Sequence, residues 1–227
     1  FVDLFHHRMF MLFHRAWAAS RPTVGNDRPS TNPFGRYVGA LCGLGSPSLL
    51  GRDELPDHAK LQFVGRLMCP ARNAQGLRAM VATYFGLPAT IEEFSGDWLT
   101  LPPENRWRLG YSADVSELGK TSIVGRRVFQ RAHKFRVVLG PLKRQDFQSL
   151  LPGSPRLRKL AQLVRAYVGD ELAWDVRLTL HPEERRQLAL GRGNRLGYDA
   201  WLGGNQQAGV GTEELVVEPP TLHDQPR

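Results

Sequence analysis

The sequence predicts an α+β protein in which N-terminal helices precede two tandem homologous modules, each a helix followed by antiparallel strands. Three observations predict it. The segment Leu77-Arg78-Ala79-Met80-Val81-Ala82-Thr83-Tyr84-Phe85-Gly86 returns as Leu160-Ala161-Gln162-Leu163-Val164-Arg165-Ala166-Tyr167-Val168-Gly169. Each copy leads into a strand-like run, Ile91 to Leu101 and Leu172 to Leu180. Ahead of both, apolar residues recur at helical spacing from Phe1 to Trp17. A repeat of roughly eighty residues is too long for a solenoid unit and reads as duplication of one small module. Paired modules present paired surfaces, whereas an enzyme needs one asymmetric site, so the duplication points towards a scaffold.

In chain order, Phe1, Leu4, Phe5, Met9, Leu12, Phe13, Ala16 and Trp17 form one apolar helical stripe, stopped by Arg21-Pro22. Such a stripe must bury itself against its own domain or a partner helix. Thr23 to Ser30 reads as a polar linker, and Asn32-Pro33 as an N-cap and first turn of a short helix reaching Leu44. Gly45 to Pro56 is a loop, after which Asp57 caps a helix from His58 to about Cys69. These pieces make residues 1–56 an N-terminal helical segment with linker.

The first module spans 57–141. Its helix ends at Gly86, a glycine suited to a helix C-terminus, and its last strand is Phe135 to Pro141. The second spans 142–220: Lys143 to Leu151, a break at Pro152-Gly153-Ser154-Pro155, and a helix to Val168. Then comes a strand in which Leu172, Trp174, Val176, Leu178 and Leu180 alternate with polar residues. Glu213 to Pro219 matches the closing strand of the first module, and 221–227 is expected to be a disordered tail.

Composition narrows the function. Hydrophobic content of 41% with 23% charged residues describes a globular chain, and no apolar run approaches the roughly 20 residues that span a bilayer. Cys42 and Cys69 lack disulfide-framework and metal-site spacing; their apolar neighbours predict buried free thiols in a reducing compartment. Thirty Lys and Arg against 22 Asp and Glu give a net charge of +8, which attracts nucleic acid, a phospholipid surface or an acidic protein. The charge is spread along helix faces instead of runs, which favours a solvated or protein-facing role.

No catalytic constellation emerges. Gly119-Lys120-Thr121-Ser122 lacks the phosphate-loop glycine five positions earlier, where Asp114 would repel a phosphate. Gly191-Arg192-Gly193-Asn194-Arg195-Leu196-Gly197 misplaces the third glycine of a dinucleotide turn. His6, His7 and His14 have no carboxylate at ligand spacing, Ser46 and Ser48 lack a nucleophile elbow, and His133 and His181 have no evident partner. No catalytic residue, cofactor or metal ligand is therefore assigned. Two apolar loops stand out instead: Ile123-Val124-Gly125 after Leu118-Gly119, and Trp201-Leu202-Gly203 after Leu196-Gly197. Either they tuck into each module's core, or they are hydrophobic plugs filling pockets on a partner, with Trp201 the anchor type that dominates such contacts.

Several segments together resemble one family. Phe1-Val2-Asp3-Leu4-Phe5-His6-His7-Arg8, Leu12-Phe13-His14-Arg15-Ala16-Trp17, Pro70-Ala71-Arg72-Asn73-Ala74-Gln75-Gly76-Leu77, Gly125-Arg126-Arg127-Val128, Lys134-Phe135-Arg136, Leu139-Gly140-Pro141-Leu142, Leu151-Pro152-Gly153 and Leu196-Gly197 with Trp201-Leu202 occur in the order and spacing of the TssG family, also called ImpH or VasB. The resemblance reaches about Val217. It implies a non-enzymatic baseplate subunit of the type VI secretion system, a contractile injection machine of Gram-negative bacteria. Such a subunit lies in the cytoplasm at the inner-membrane-associated baseplate. It implies TssF and TssE as wedge partners and TssK as the docked partner, with Ile123, Val124, Trp201 and Leu202 as contact candidates at two attachment points. The stripe containing Phe1, Phe5, Leu12 and Trp17 would then pack against TssF. Family members usually carry a further N-terminal segment, so the sequence is expected to be a piece lacking it. The alternative reading is a basic nucleic-acid-binding protein, resting on charge and on Trp107 between Arg106 and Arg108. A hydrolase using His133 or His181 has only residue availability behind it.

Overall fold

The computed structural model describes residues 1–26, 33–107, 124–184, 195–200 and 214–219. The chain divides into two compact units, Phe1–Arg72 and Asn73–Arg227.

The first unit is helical. Helix α1 (Val2–Ala19) buries none of its residues, and its end is closed by Ser20, whose hydroxyl donates to the Trp17 carbonyl at 2.8 Å. Pro22 does more than stop α1: with φ preset for a first turn, it opens the short helix α2 (Pro22–Asn26), where a linker was expected. Helix α3 (Pro33–Leu41) ends three residues before the expected Leu44. The helix expected from His58 to Cys69 is two pieces, α4 (Asp57–Gln62) and α5 (Val64–Leu67), broken where Phe63 leaves helical geometry. Asp57 does not cap α4. Its carboxylate accepts from the Gly51 amide at 2.9 Å and pairs with Lys60 at 3.4 Å, and Pro56 occupies the cap position. Leu55, Ala59 and Phe63 are buried, and Lys60 is buried beside them because Asp53 pairs with its ammonium at 2.5 Å. The Arg72 guanidinium closes α5 by donating to the Arg66 and Leu67 carbonyls at 2.6 and 2.7 Å. The cysteines are free but not buried as expected: Cys42 is half-buried and Cys69 exposed, because the apolar residues around them turn outward as well.

The second unit contains the helices formed by the two similar segments. Helix α6 (Ala74–Phe85) is capped by Asn73, whose side chain accepts from the Gly76 amide at 2.6 Å, and ends at Gly86 with φ 65°. Helix α8 (Pro155–Val168) is capped by Ser154, which accepts from the Leu157 amide at 3.2 Å, and stops at Gly169. Matching positions are buried in the two copies: Leu77 with Leu160, Met80 with Leu163, Val81 with Val164. Between them, α7 (Arg144–Ser149) packs on the sheet through buried Phe147. Arg156 of α8 donates to the Phe85 carbonyl at the end of α6 and pairs with Asp146 of α7, so one side chain ties three helices.

Four strands form one sheet, in the order β1 (Ala89–Glu92), β4 (Lys134–Leu142), β5 (Ala173–Leu180), β6 (Glu214–Val217). The outer pairs β1–β4 and β5–β6 are antiparallel, and the central pair β4–β5 is parallel. Phe135, Val137, Leu139, Val176, Leu178, Leu180 and Val217 fill one face of the sheet. This is the α+β class read from the sequence, with N-terminal helices ahead of the sheet.

One strand-like run differs from its reading. Ile91 to Leu101 is not continuous: Phe94 takes a left-handed φ of 57° and Gly96 follows, so the chain turns out of β1 into a separate strand, β2 (Asp97–Thr100). Strand β2 pairs antiparallel with β3 (Arg127–Gln130) in a second, two-stranded sheet.

Candidate protein-docking surfaces

The two-stranded sheet continues the β1–β4 pair beyond a corner. Four residues, 93–96, lie between the pairs Glu92↔Arg136 and Asp97↔Gln130 on one strand, against five, 131–135, on the other. The extra residue is a bulge, which bends a β-ribbon and increases its twist. At the corner the Ser95 amide donates to the Lys134 carbonyl at 2.9 Å, and the Phe129 ring lies across Gly96. A Cβ at position 96 would sit 2.2 Å from Phe129 Cζ, so only glycine permits this contact.

Beyond the corner the ribbon carries large apolar side chains in solvent. Trp98 and Phe129 are register partners with ring centroids 5.3 Å apart, yet they remain 59% and 46% exposed. Leu99, Trp107 and Phe94 are also exposed, and the Arg131 guanidinium lies 5.6 Å from the Phe129 ring centre. Exposed Arg126 and Arg127 flank this patch, giving it an aromatic centre and a basic edge. Val124, which leads into β3, is 82% exposed and so is not tucked into a core. Its sequence neighbour Ile123 lies outside the described residues, as do Trp201, Leu202, the Gly119-Lys120-Thr121-Ser122 segment and Gly191 to Asn194.

The residues just before Trp201 are anchored. Asp199 is buried, accepts from the Arg195 amide at 2.5 Å and from Gln148 Nε2 at 2.8 Å, and lies 3.8 Å from Arg144. That carboxylate fixes the 195–200 turn to α7.

On α1, Phe1, Phe5, Leu12 and Trp17 are all exposed, together with Phe10 and Phe13. The eighteen-residue helix therefore presents its apolar stripe without a cover among the described residues. His6, His7 and His14 lie on the same helix, with His14 against Trp17. The other two histidines are not brought together: both ring nitrogens of His133 are buried without a hydrogen-bond partner among the described residues, and His181 lies 3.9 Å from Glu183. No cluster of three potential metal-binding side chains occurs among the described residues.

The face of the four-stranded sheet opposite the core carries charge. Asp175, only 2% exposed, takes two hydrogen bonds from Arg136, at 2.5 and 2.8 Å, and pairs with Lys134 at 3.2 Å. Lys134 also reaches Asp97 at the foot of β2, at 3.1 Å. Arg177 bridges Glu92 and Glu214 at 2.9 and 3.2 Å. Burial pushes the Asp175 carboxyl up, but its hydrogen bonds from Arg136 and Lys134 outweigh this and hold it below the usual carboxylate range. The Lys134 hydrogen bond lowers Asp97 likewise. Burial draws Lys134 down, and its two carboxylates more than reverse that, leaving it raised.

Sequence reasoning missed the Trp98–Phe129 patch because it took Ile91 to Leu101 as one strand. The available signal was Phe94-Ser95-Gly96, a turn cluster between two β-prone runs.

The helix stripe of the first unit and the aromatic ribbon of the second are both exposed. The model of the family described as type VI secretion, TssG, matches residues 1–203. The chain belongs to the TssG family. Two solved structures share the fold of this TssG-family chain. One is a chain of the type VI secretion system TssK-TssF-TssG baseplate subcomplex solved by cryo-electron microscopy, with TM-score 0.76, 17% identity, and coverage of 99% of this chain and 95% of that one. The other is from the type VI secretion baseplate complex, with TM-score 0.59, 22% identity, and coverage of 97% of this chain but 61% of that one. No curated protein matches the TssG-family chain in sequence.

Proposed function

We propose that this TssG-family chain is a non-enzymatic structural subunit of a type VI secretion baseplate, in a complex with TssF, TssK and TssE. The observation that carries the reading is α1: eighteen residues of helix, none buried, with aromatic residues along it. A helix whose apolar stripe stays in water gains nothing from it alone, so the stripe is suited to burial against a partner. TssF is assigned to Phe1, Phe5, Leu12 and Trp17. TssK is assigned to the two apolar loops, Ile123 with Val124 and Trp201 with Leu202. The exposed Trp98–Phe129 patch extends the first of these along the ribbon. TssE completes the wedge.

The subunit acts in the cytoplasm, at the inner-membrane-associated baseplate. No described helix is long and apolar enough to cross a membrane. Of the thirty Lys and Arg, Lys134, Arg136, Arg156, Arg165 and Arg177 are engaged with carboxylates.

The test is co-purification of the chain with TssF and with TssK, separately, at low and moderate salt. Salt-resistant complexes support apolar docking. If neither partner binds while nucleic acid co-purifies and is released by salt, the nucleic-acid reading replaces this one.

A further inference from the structure

The ribbon that carries Trp98, Phe129 and Val124 leaves the four-stranded sheet at a bulged corner, with the Phe129 ring packed across Gly96. Two backbone hydrogen bonds hold it, both at 2.9 Å: the Ser95 amide donates to the Lys134 carbonyl, and the Ala173 amide of β5 donates to the His133 carbonyl. His133 sits at the same corner, but its ring nitrogens have no partner among the described residues. The polar side-chain tie is Lys134. Its ammonium is held between Asp97, on the far side of the corner, and Asp175, in strand β5 of the sheet.

The two carboxylates differ in character. Asp175 is buried and doubly bonded to Arg136, so it is a fixed point that survives removal of the lysine. Asp97 is 44% exposed and belongs to the strand that must be aimed. Its Oδ1 already accepts from the Trp98 amide at 2.8 Å, which orients the carboxylate beside the docking tryptophan.

We propose that Lys134 is a positioning residue for partner docking: by clamping Asp97 to Asp175 it sets the angle at which the Trp98–Phe129 ribbon leaves the sheet. The inference rests on the reading of the ribbon as a TssK-docking element. It adds that the first copy's docking ribbon is registered against β5, a strand of the second copy. A ribbon free to swing about its corner would have to be ordered on binding, and that ordering weakens association.

The test uses the full chain carrying Trp201→Asp and Leu202→Asp, so that the ribbon's site alone is read, and purified TssK, measuring affinity and thermal midpoint for that parent (the wild-type ribbon), Asp97→Asn, Lys134→Met, the double variant, Lys134→Arg, and Trp98→Asp as a docking control. Asp97→Asn keeps a side-chain acceptor for the Trp98 amide and replaces the oxygen that accepts from Lys134 with an NH2 donor, which breaks the link to the lysine. Expected are losses of about fivefold in affinity for Asp97→Asn and for Lys134→Met, with the double variant no weaker than the weaker single, since both break one link. Lys134→Arg, long enough to span both carboxylates, binds within about twofold of wild type, and the Asp97→Asn melting point is unchanged within about 2 °C. Wild-type affinity in Asp97→Asn while Trp98→Asp loses binding overturns the positioning role and leaves docking intact. Additive losses in the double variant, or a Lys134→Arg chain as weak as Lys134→Met, overturn it equally. If Trp98→Asp itself binds like wild type, the docking reading fails and this inference with it.

Discussion

Tyr167 shows how one residue sets the contact between α8 and the start of α6. Its hydroxyl receives the Asn73 amide at 3.1 Å, and the ring sits where a Cβ on Gly76 would fall 2.2 Å from the oxygen. Gly76→Ala should therefore destabilise the protein by about 1–3 kcal/mol, read as a lower urea midpoint with unchanged slope. The carboxylates around Lys134 give a second prediction. Asp97 and Asp175 titrate below their ordinary range when folded, so their stabilising contribution is present at neutral pH and is lost as pH falls below about 4. Lys134 is raised, so its contribution is complete below the ordinary lysine range and is lost as pH rises past about 10. Urea midpoints across pH should fall at both ends, and the acid-side fall should be shallower in Asp97→Asn. A midpoint flat down to pH 2.5 would remove these ion pairs from the stability of the fold.

Among the elements, α1 makes the plainest claim. Phe5→Glu with Leu12→Glu should reduce TssF co-purification by about tenfold or more while far-ultraviolet circular dichroism stays unchanged, because neither side chain is part of a core. Undiminished recovery of TssF would take the stripe out of that interface. The helices were largely legible from sequence because their signals are local: Ser154-Pro155 and Gly169 bound α8, and Gly86 ends α6. The break at Phe63 was not legible, since nothing in the dipeptide Phe63-Val64 marks a stop and the interruption is set by burial of the Phe63 ring. The corner at Phe94 was half-visible. Its turn residues are in the sequence, but a left-handed Phe is rare enough that only the Phe129 ring packed over Gly96 makes it intelligible. Of the residues proposed for docking, the stripe and Val124 follow from sequence pattern and are exposed, whereas Trp98 and Phe129 required knowing which strands pair.

For the whole molecule, the duplication predicts two docking events per chain. Native mass spectrometry of the chain with excess TssK should show two bound assemblies. Trp98→Asp with Val124→Asp should leave one, Trp201→Asp with Leu202→Asp should leave one, and combining all four should leave none. Two assemblies retained by either double variant would remove that loop from docking. The pairing of the copies was the least legible feature of all. Helix caps are written within a few residues, but the decision that β4 lies beside β5 joins Lys134 to Ala173 and Leu142 to Leu180, and no local signal states it.

That central parallel pair has a consequence for how the protein is made. When the ribosome has delivered β4, the strand has β1 on one side and no neighbour on the other, with Val137 and Leu139 awaiting cover. An apolar strand edge in that condition is a template for pairing with another chain. The hazard persists until about forty more residues, through α8 and the end of β5 at Leu180, have emerged, or about 2–8 seconds at ordinary bacterial elongation rates. Messages truncated between the two copies would thus yield aggregating fragments and not half-sized subunits, and the second copy acts as the first one's lid during synthesis.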